Sequence, residues 1–170
     1  MIFVTVGTQL AFDRLVRAVD AWAATHPEEP VLAQVNGGTY APRHLRTVTG
    51  LTPAEFERHF AEARLVVAHA GMGTIISALE VGKPLVLLPR LASMGEHRND
   101  HQLGTARHFT RFGCIRVASS EDDVARRIEE LLQVAGSTDP QAASSVSPTL
   151  IEGIRRFLEA PAVSNQDKNR

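Results

Sequence analysis

The 170-residue chain has only one cysteine, and its charges nearly cancel. The single Cys114 excludes an internal disulfide framework and any zinc site built from several cysteines. With 18 basic and 19 acidic residues the formal net charge is −1, which disfavours nucleic-acid binding because such binders normally carry a basic excess. No apolar run approaches the roughly 20 residues that cross a bilayer. We therefore expect one globular domain of cytoplasmic type whose membrane contacts, if any, come through a partner.

Short apolar runs alternate with longer amphipathic segments, which predicts an α/β fold with a doubly wound, Rossmann-like parallel sheet. The runs lack strict apolar–polar alternation, as expected of strands buried on both faces. The predicted strands are Ile2–Val6, Val31–Val35, Leu45–Thr49, Leu65–His69, Leu85–Leu88 and Ile115–Ala118. Five helices are predicted between and after the strands. The first contains Leu15–Trp22, and the second begins at Pro53 after a Thr52 cap. The third runs from Gly71 to Gly82, the fourth from about Asn99 to Phe112, and the fifth from Ser119 or Ser120 to about Gln133.

The composition changes after this α/β pattern. We assign residues 1–134 to the domain and residues 135–148, which are rich in Ser, Ala, Pro, Gly and Thr, to a linker. Residues 149–160 form a predicted short helix with one apolar side, and residues 161–170 a predicted disordered tail. The apolar side of that helix packs either on this domain's own sheet or on a partner chain.

Polar and glycine-rich segments follow several of the predicted strands. In an open α/β sheet, ligands bind outside the carboxyl ends of the strands. Four loops belong to that edge, and their informative segments are Gly7-Thr8-Gln9, Asn36-Gly37-Gly38, His69-Ala70-Gly71-Met72-Gly73-Thr74, and Pro89-Arg90 with residues 95–102. Their convergence predicts one site.

The segment His69–Thr74 opens a predicted helix with two glycines and a threonine. A helix N-terminus offers free N–H groups and a partial positive charge, which suit a phosphate or diphosphate. His69 would assist as a cation or as a neutral N–H donor. The spacing is neither the dinucleotide fingerprint, since position 76 is Ile, nor a P-loop. The alternative is a tight turn whose glycines serve packing alone.

The segment 95–102 is dense in polar side chains and permits three interpretations. His97 and His101 are four residues apart and could hold a metal ion with a nearby carboxylate, although no third ligand is evident elsewhere. A second interpretation is a solvated helix entry capped by Asn99 or Asp100. The third is that the run Asp100-His101-Gln102 binds sugar hydroxyls.

Three motifs together resemble a known family. His69-Ala70-Gly71-Met72-Gly73-Thr74, Gly82-x-Pro84 and Asp100-His101-Gln102 resemble the C-terminal domain of glycosyltransferase family 28, the nucleotide-sugar half of GT-B enzymes. The opening Ile2–Gln9 with Phe12–Val16 is similar to small catalytic subunits of two-part transferases. One branch of these is the eukaryotic subunit that adds the second N-acetylglucosamine to dolichol-linked chitobiose. The other serves bacterial capsule and exopolysaccharide synthesis, and Pro89-Arg90 with residues 95–102 resembles it most. The likeness covers about residues 1–133.

The resemblance implies roles for individual residues. His69 would stabilise the leaving phosphate, and the residues implied to bind the donor phosphates are Gly7, Thr8, Gln9, Gly71, Met72, Gly73 and Thr74. Those implied to bind the donor sugar or ribose are Ser77, Glu80, Arg90, Glu96, Asp100, His101 and Gln102. Family members often carry an acidic ribose ligand three residues after the threonine; here that position is Ser77, and Glu80 lies one turn later. No metal and no other cofactor is implied.

The resemblance also implies a partner, because a GT-B enzyme has an acceptor half that this chain lacks. The expected enzyme is an inverting UDP-sugar glycosyltransferase that moves a hexose or N-acetylhexosamine to a lipid-linked acceptor in glycan biosynthesis. A membrane-associated subunit would supply the acceptor half and often the general base, and would recruit this chain to the membrane. A non-catalytic nucleotide-sugar-binding scaffold remains an alternative. A nicotinamide or flavin oxidoreductase is disfavoured because the third glycine and an acidic residue after Val31–Val35 are missing.

Overall fold

Six parallel strands form one sheet in the order β3-β2-β1-β4-β5-β6. The structure is a computed structural model and describes residues 1–136. The strands are β1 Ile2–Thr5, β2 Val31–Gln34, β3 Arg46–Val48, β4 Leu65–His69, β5 Leu85–Leu88 and β6 Ile115–Val117. The helices are α1 Asp13–Ala23, α2 Pro53–Glu62, α3 Met72–Val81, α4 His101–Phe109 and α5 Glu121–Gly136, with a one-turn 3-10 helix at Ala92–Met94. The predicted fold class is confirmed.

The central strands are buried on both faces, as their continuous apolar sequences predicted. Every residue of β1, β2 and β5 is buried, whereas the edge strand β3 is largely exposed. Side chains alternate between two cores along β1: Ile2 and Val4 join the core under α1 and α5, and Phe3 joins the core under α2, α3 and α4. Helices therefore cover both faces of the sheet.

The helix ends follow local chemistry. Thr52 caps α2 in a capping box, because its hydroxyl accepts from the Glu55 N–H and the Glu55 carboxylate accepts from the Thr52 N–H at 2.8 Å. Gly82 ends α3 with a φ of +62°, a left-handed conformation that glycine adopts without steric cost. Both agree with the sequence prediction.

Helix α4 is shorter than the predicted range. It begins at His101 rather than Asn99 and ends at Phe109. The Asn99 side-chain oxygen accepts from the His101 N–H at 3.3 Å, while the Asp100 carboxylate accepts from Ala92 N–H at 2.8 Å. Of the two predicted caps, Asn99 is the one whose side chain meets the start of the helix.

The strand order places a crevice at the carboxyl end of β1 and β4. The chain leaves β1 toward α1, whose Leu15 and Val19 lie in one core. It leaves β4 toward α3, whose Ile75 lies in the other core. Because the two connections go to opposite faces, a gap opens between them, which is where ligands bind in open α/β sheets.

Helix α5 extends to Gly136 and so includes the first two residues of the predicted linker. The remainder of that linker, the predicted helix 149–160 and the predicted tail 161–170 lie outside the described residues. Within residues 1–136, no helix is both long and apolar enough to cross a membrane.

Candidate functional site

A cleft of about 650 Å³ occupies the crevice at the carboxyl end of β1 and β4. Three of the four predicted loops line it. The predicted site residues found there are Gly7, Thr8, Gln9, His69, Gly71, Met72, Gly73, Thr74, Ser77, Arg90, His101 and Gln102. Predicted site residues as far apart in sequence as Gly7 and Gln102 thus share one cavity, although their roles toward a ligand stay predictions.

The loop after β2 does not reach this cleft. The Asp13 carboxylate at the start of α1 accepts from the backbone N–H groups of Thr39 at 2.9 Å and Tyr40 at 3.1 Å. Gly38 packs directly against that carboxylate, so that a Cβ at this position would collide with it. The second glycine of Asn36-Gly37-Gly38 therefore serves packing against α1.

The His69 imidazole lies between two glycines of the site. A Cβ on Gly7 would come within 2.7 Å of His69 Cε1, and a Cβ on Gly71 would collide with Nε2. Gly7 also has a φ of +83°, which favours glycine. By contrast, no atom lies within 4 Å of the Cβ position of Gly73. Gly7 and Gly71 thus make room for the histidine, and Gly73 leaves open space at the start of α3.

His69 is neutral at physiological pH. Burial, with a further contribution from the Arg90 cation, lowers the pKa of His69 from 6.5 to about 4. Its Nδ1 is buried and makes no hydrogen bond of ordinary geometry in the described part of the chain, while the backbone of nearby Thr5 acts in the opposite direction and raises the pKa. Of the two chemical forms considered for His69, the structure therefore favours the neutral N–H donor over the cation.

Arg90 connects two of the loops that line the cleft. The residue is 2% exposed, and its guanidinium donates to the carbonyl oxygens of Val6 at 2.9 Å, Leu10 at 2.6 Å and Ala11 at 2.7 Å. The Arg90 backbone N–H donates to the Gln102 side-chain oxygen at 3.1 Å. The Nη1 and Nη2 groups of Arg90 thus hold the loop after β1 against the loop after β5.

Three residues implied to contact the donor sugar or ribose do not line the cleft. Glu96 instead receives Arg14 Nε at 2.7 Å and Nη2 at 2.8 Å, and Leu91 N–H at 2.9 Å. The Asp100 carboxylate accepts a hydrogen bond from the Ala92 N–H. Glu80 lies in an adjoining groove between α3 and α2, which shares Ser77 with the cleft. The carboxylates of Glu96 and Asp100 therefore stabilise the loop after β5. Of the two residues implied to bind the ribose, Ser77 and Glu80, only Ser77 lines the cleft.

The cleft also contains residues that sequence reasoning did not assign to the ligand. His97 was considered only as a metal ligand, and the other unassigned lining residues are Thr5, Val6, Leu10, Gln34, Leu51, Pro53, Phe56, Glu57, Ala70 and Thr105. A signal existed for Leu51 and Pro53, because the loop after β3 lies at the same carboxyl edge as the other loops. Phe56 and Glu57 follow on the first turns of α2.

The alternative metal site finds no complete ligand set. His97 and His101 contact each other edge to face with ring centroids 4.5 Å apart. Among the residues that the structure describes, no group of three or more His, Cys, Asp or Glu side chains is arranged to hold a metal ion. Glu96 and Asp100, the nearby carboxylates, are engaged in the contacts described above.

The fold is similar to that of solved glycosyltransferases. The glycosyltransferase of kitacinnamycin aligns with a TM-score of 0.59 and 21% identity, covering 94% of this chain and 39% of that one. CalG4, the calicheamicin glycosyltransferase, aligns with a TM-score of 0.55 and 17% identity over the same shares. At these identities the likeness concerns the fold.

Sequence comparison identifies curated relatives. UDP-N-acetylglucosamine transferase subunit ALG13 of Mus musculus is 33% identical over 121 residues, which is 65% of this chain. The Homo sapiens protein of the same name is 31% identical over 122 residues, or 66% of this chain. The chain spans only about 10% of the length of each. The glycosyltransferase family 28 C-terminal domain matches residues 1–152. The chain therefore belongs to the glycosyltransferase family 28 C-terminal domain family.

Proposed function

We propose that this chain is the donor-binding catalytic subunit of an inverting UDP-sugar glycosyltransferase that acts together with a separate acceptor subunit. The observation that carries the proposal is the cleft in which the uncapped N-terminus of α3 faces the neutral imidazole of His69. Family membership supports the reaction class.

The N-terminus of α3 is suited to a diphosphate. Its N-cap residue, Gly71, makes no side-chain capping hydrogen bond, so the N–H groups of the first turn have no side-chain acceptor there. Such groups bind anions, and the helix dipole adds a partial positive charge. Thr74 places a hydroxyl in the same turn, and Gly73 leaves space for a close approach.

These groups would stabilise the charge that develops on the leaving UDP. In an inverting transfer the acceptor hydroxyl attacks the anomeric carbon as the bond to the diphosphate oxygen breaks. The hydroxyl proton passes to a general base, which we expect on the acceptor subunit. The first-turn N–H groups of α3 and the N–H of neutral His69 would bind the departing oxygens, a fixed arrangement of donors that lowers the barrier.

We also propose which donor sugar and which class of acceptor this enzyme uses. The curated relatives are named as subunits of a UDP-N-acetylglucosamine transferase, which supports N-acetylglucosamine as the donor sugar and a second subunit as the partner. A lipid-linked acceptor, a membrane-associated partner and a cytoplasmic location follow from the family resemblance. A role in capsule or exopolysaccharide synthesis rests on the resemblance of residues 89–102 alone.

The competing proposal is a non-catalytic scaffold that binds a nucleotide sugar and regulates its partner. Both proposals require UDP binding, and only sugar transfer in the presence of the partner separates them. Such transfer by the reconstituted pair, lost in a donor-site variant of this chain, would exclude the scaffold.

Gly73→Val tests the donor site without disturbing the folded chain, because nothing lies within 4 Å of the new Cβ. Gly104→Val is the matched control, since Gly104 is also a helical glycine with no neighbour within 4 Å and it lies outside the cleft. In calorimetric titrations with UDP we expect Gly73→Val to weaken binding by about tenfold or more, equivalent to at least about 1.4 kcal/mol. Gly104→Val should bind like the wild type. Normal binding by a folded Gly73→Val would refute the assignment.

A further inference from the structure

The expected ligand of the cleft is strongly anionic, whereas the cleft itself has little positive charge. A nucleoside diphosphate brings negative charge, and Arg90 is the one cationic side chain of the described cleft lining. Its Nη donors are already bonded to backbone carbonyl groups, and His69 is neutral. Glu57 adds a negative charge to the lining, and no lysine lines the cleft. Within the described chain, we therefore expect direct hydrogen bonds to the phosphates to come largely from neutral N–H and O–H donors, with Arg90 adding its positive charge.

His97 is a donor of this kind that neither the sequence motifs nor the resemblance assigned. It lines the cleft in the loop between β5 and α4. The loop is pinned on both sides of it, at Glu96 by Arg14 and at Asp100 by the Ala92 N–H. The His97 ring also packs edge to face against His101. These contacts restrict where the imidazole can point before any ligand arrives.

The surroundings of the His97 ring favour one tautomer. Nδ1 is buried and makes no hydrogen bond within residues 1–136. A proton at Nδ1 would be a buried donor without an acceptor, a rare and costly arrangement. A neutral ring therefore carries its proton at Nε2, the nitrogen left to reach groups in the cleft.

His101 has the opposite arrangement. Its Nδ1 contacts the side-chain oxygen of Asn99, and the same oxygen accepts from the His101 backbone N–H. The proton of a neutral His101 ring therefore sits on Nδ1, which makes Nε2 an acceptor. An acceptor suits a sugar hydroxyl, and only a donor suits a phosphate.

We propose that His97 is a second diphosphate-binding residue, which donates from Nε2–H to the donor phosphates across the cleft from the N-terminus of α3. The proposal rests on the proposed function, since it assigns a contact within that donor site. It gives the loop after β5 a phosphate-binding role in addition to the sugar contacts implied for it.

Two substitutions separate a donor at Nε2 from a merely structural role. The side-chain amide of His97→Gln places N–H groups near the position of Nε2, whereas that of His97→Asn places them near Nδ1. In calorimetric titrations with UDP we expect His97→Asn to weaken binding by about tenfold, as for loss of one hydrogen bond to a charged group. His97→Gln should stay within about threefold of the wild type. His108→Asn, an exposed histidine of α4 outside the cleft, is the control.

Titration with uridine, followed by nuclear magnetic resonance, completes the test. The affinity of His97→Asn for uridine should equal that of the wild type, because uridine has no phosphate. Equal weakening of uridine and UDP, or equal loss in the Gln and Asn variants, would show a structural role and overturn the proposal. Unchanged UDP binding by His97→Asn would also overturn it while leaving the donor site intact. Absence of UDP binding in the wild type would instead refute the proposed function.

Discussion

The cleft has two sides that are constructed differently. One side is the glycine turn, residues 69–74, which leads from β4 into α3. The other is the polar loop, residues 89–101, which leads from β5 into α4 and contains one turn of 3-10 helix. The turn offers backbone N–H groups without a side-chain cap. Arg90 and Glu96 of the loop bond to other parts of the protein, and Asp100 bonds to the backbone of the loop itself.

This difference shows that polar residues concentrated in one loop need not all line the cleft, since Glu96 and Asp100 do not. A loop without regular hydrogen bonding must satisfy its backbone groups in other ways. In the polar loop, carboxylates accept from the N–H groups of Leu91 and Ala92. The glycine turn continues directly into a helix and needs no such support, so its donors remain available.

We expect the largest loss of stability from Glu96→Ala, which tests whether the polar loop depends on the bonds that Glu96 makes. The change leaves the Arg14 guanidinium, which is 8% exposed, without its carboxylate partner. Breaking a buried ion pair in this way costs about 3–5 kcal/mol, measured as the free energy of unfolding in urea. The control is Glu29→Ala, whose partner Arg64 is 44% exposed and which should cost less than about 1 kcal/mol. Equal losses in the two variants would mean that Glu96 does not support the loop.

The next effect concerns the neutral histidine of the glycine turn. The unfolded chain binds a proton at His69 near pH 6.5, whereas the folded chain does so only near its lowered pKa of about 4. The free energy of unfolding therefore falls as the pH drops from 6.5 to 4 and levels off below that range. Relative to His69→Asn, which does not titrate, the wild type should lose about 3 kcal/mol. Parallel pH profiles for the two proteins would contradict the lowered pKa.

A smaller effect separates the two glycines within the turn. Gly71→Ala places a Cβ against His69 Nε2 and should lower the free energy of unfolding by about 2 kcal/mol, as overpacking does. Gly73→Ala meets no atom and should leave stability unchanged or raise it by about 0.5 kcal/mol. Thermal and urea unfolding measure both. Similar stability in the two variants would show that Gly71 does not pack against the histidine.

The smallest expected effect is that of removing divalent metal. A site formed by helix N–H groups and histidine N–H donors does not need a metal cation, so the affinity for UDP should be the same with and without EDTA. Calorimetry measures both affinities. Loss of binding in EDTA would contradict this expectation and would favour a metal bound by His97 and His101.

The sequence predicted the glycine turn well because its determinants are local. His69, Gly71, Gly73 and Thr74 lie within six consecutive positions where the buried strand β4 passes into α3, and the structure brings all four to the cleft. It predicted the polar loop poorly. Glu96, Asp100 and Glu80 have the residue types that bind sugars, but other partners or other surfaces engage them in the fold.

Within residues 1–136, the sequence by itself determined the six strands, the five helices, the parallel sheet and the edge at which the cleft opens. These features depend on apolar periodicity and on local turn chemistry. Only the tertiary structure decided which polar side chains face the cleft. Arg14 bonds to Glu96, 82 residues away, and Arg90 bonds to Val6, 84 residues away. Such long-range pairs cannot be predicted from local sequence patterns. The same long-range packing brings His97 and the start of α2 to the cleft, since a side chain's direction depends on the partners that the fold places beside it.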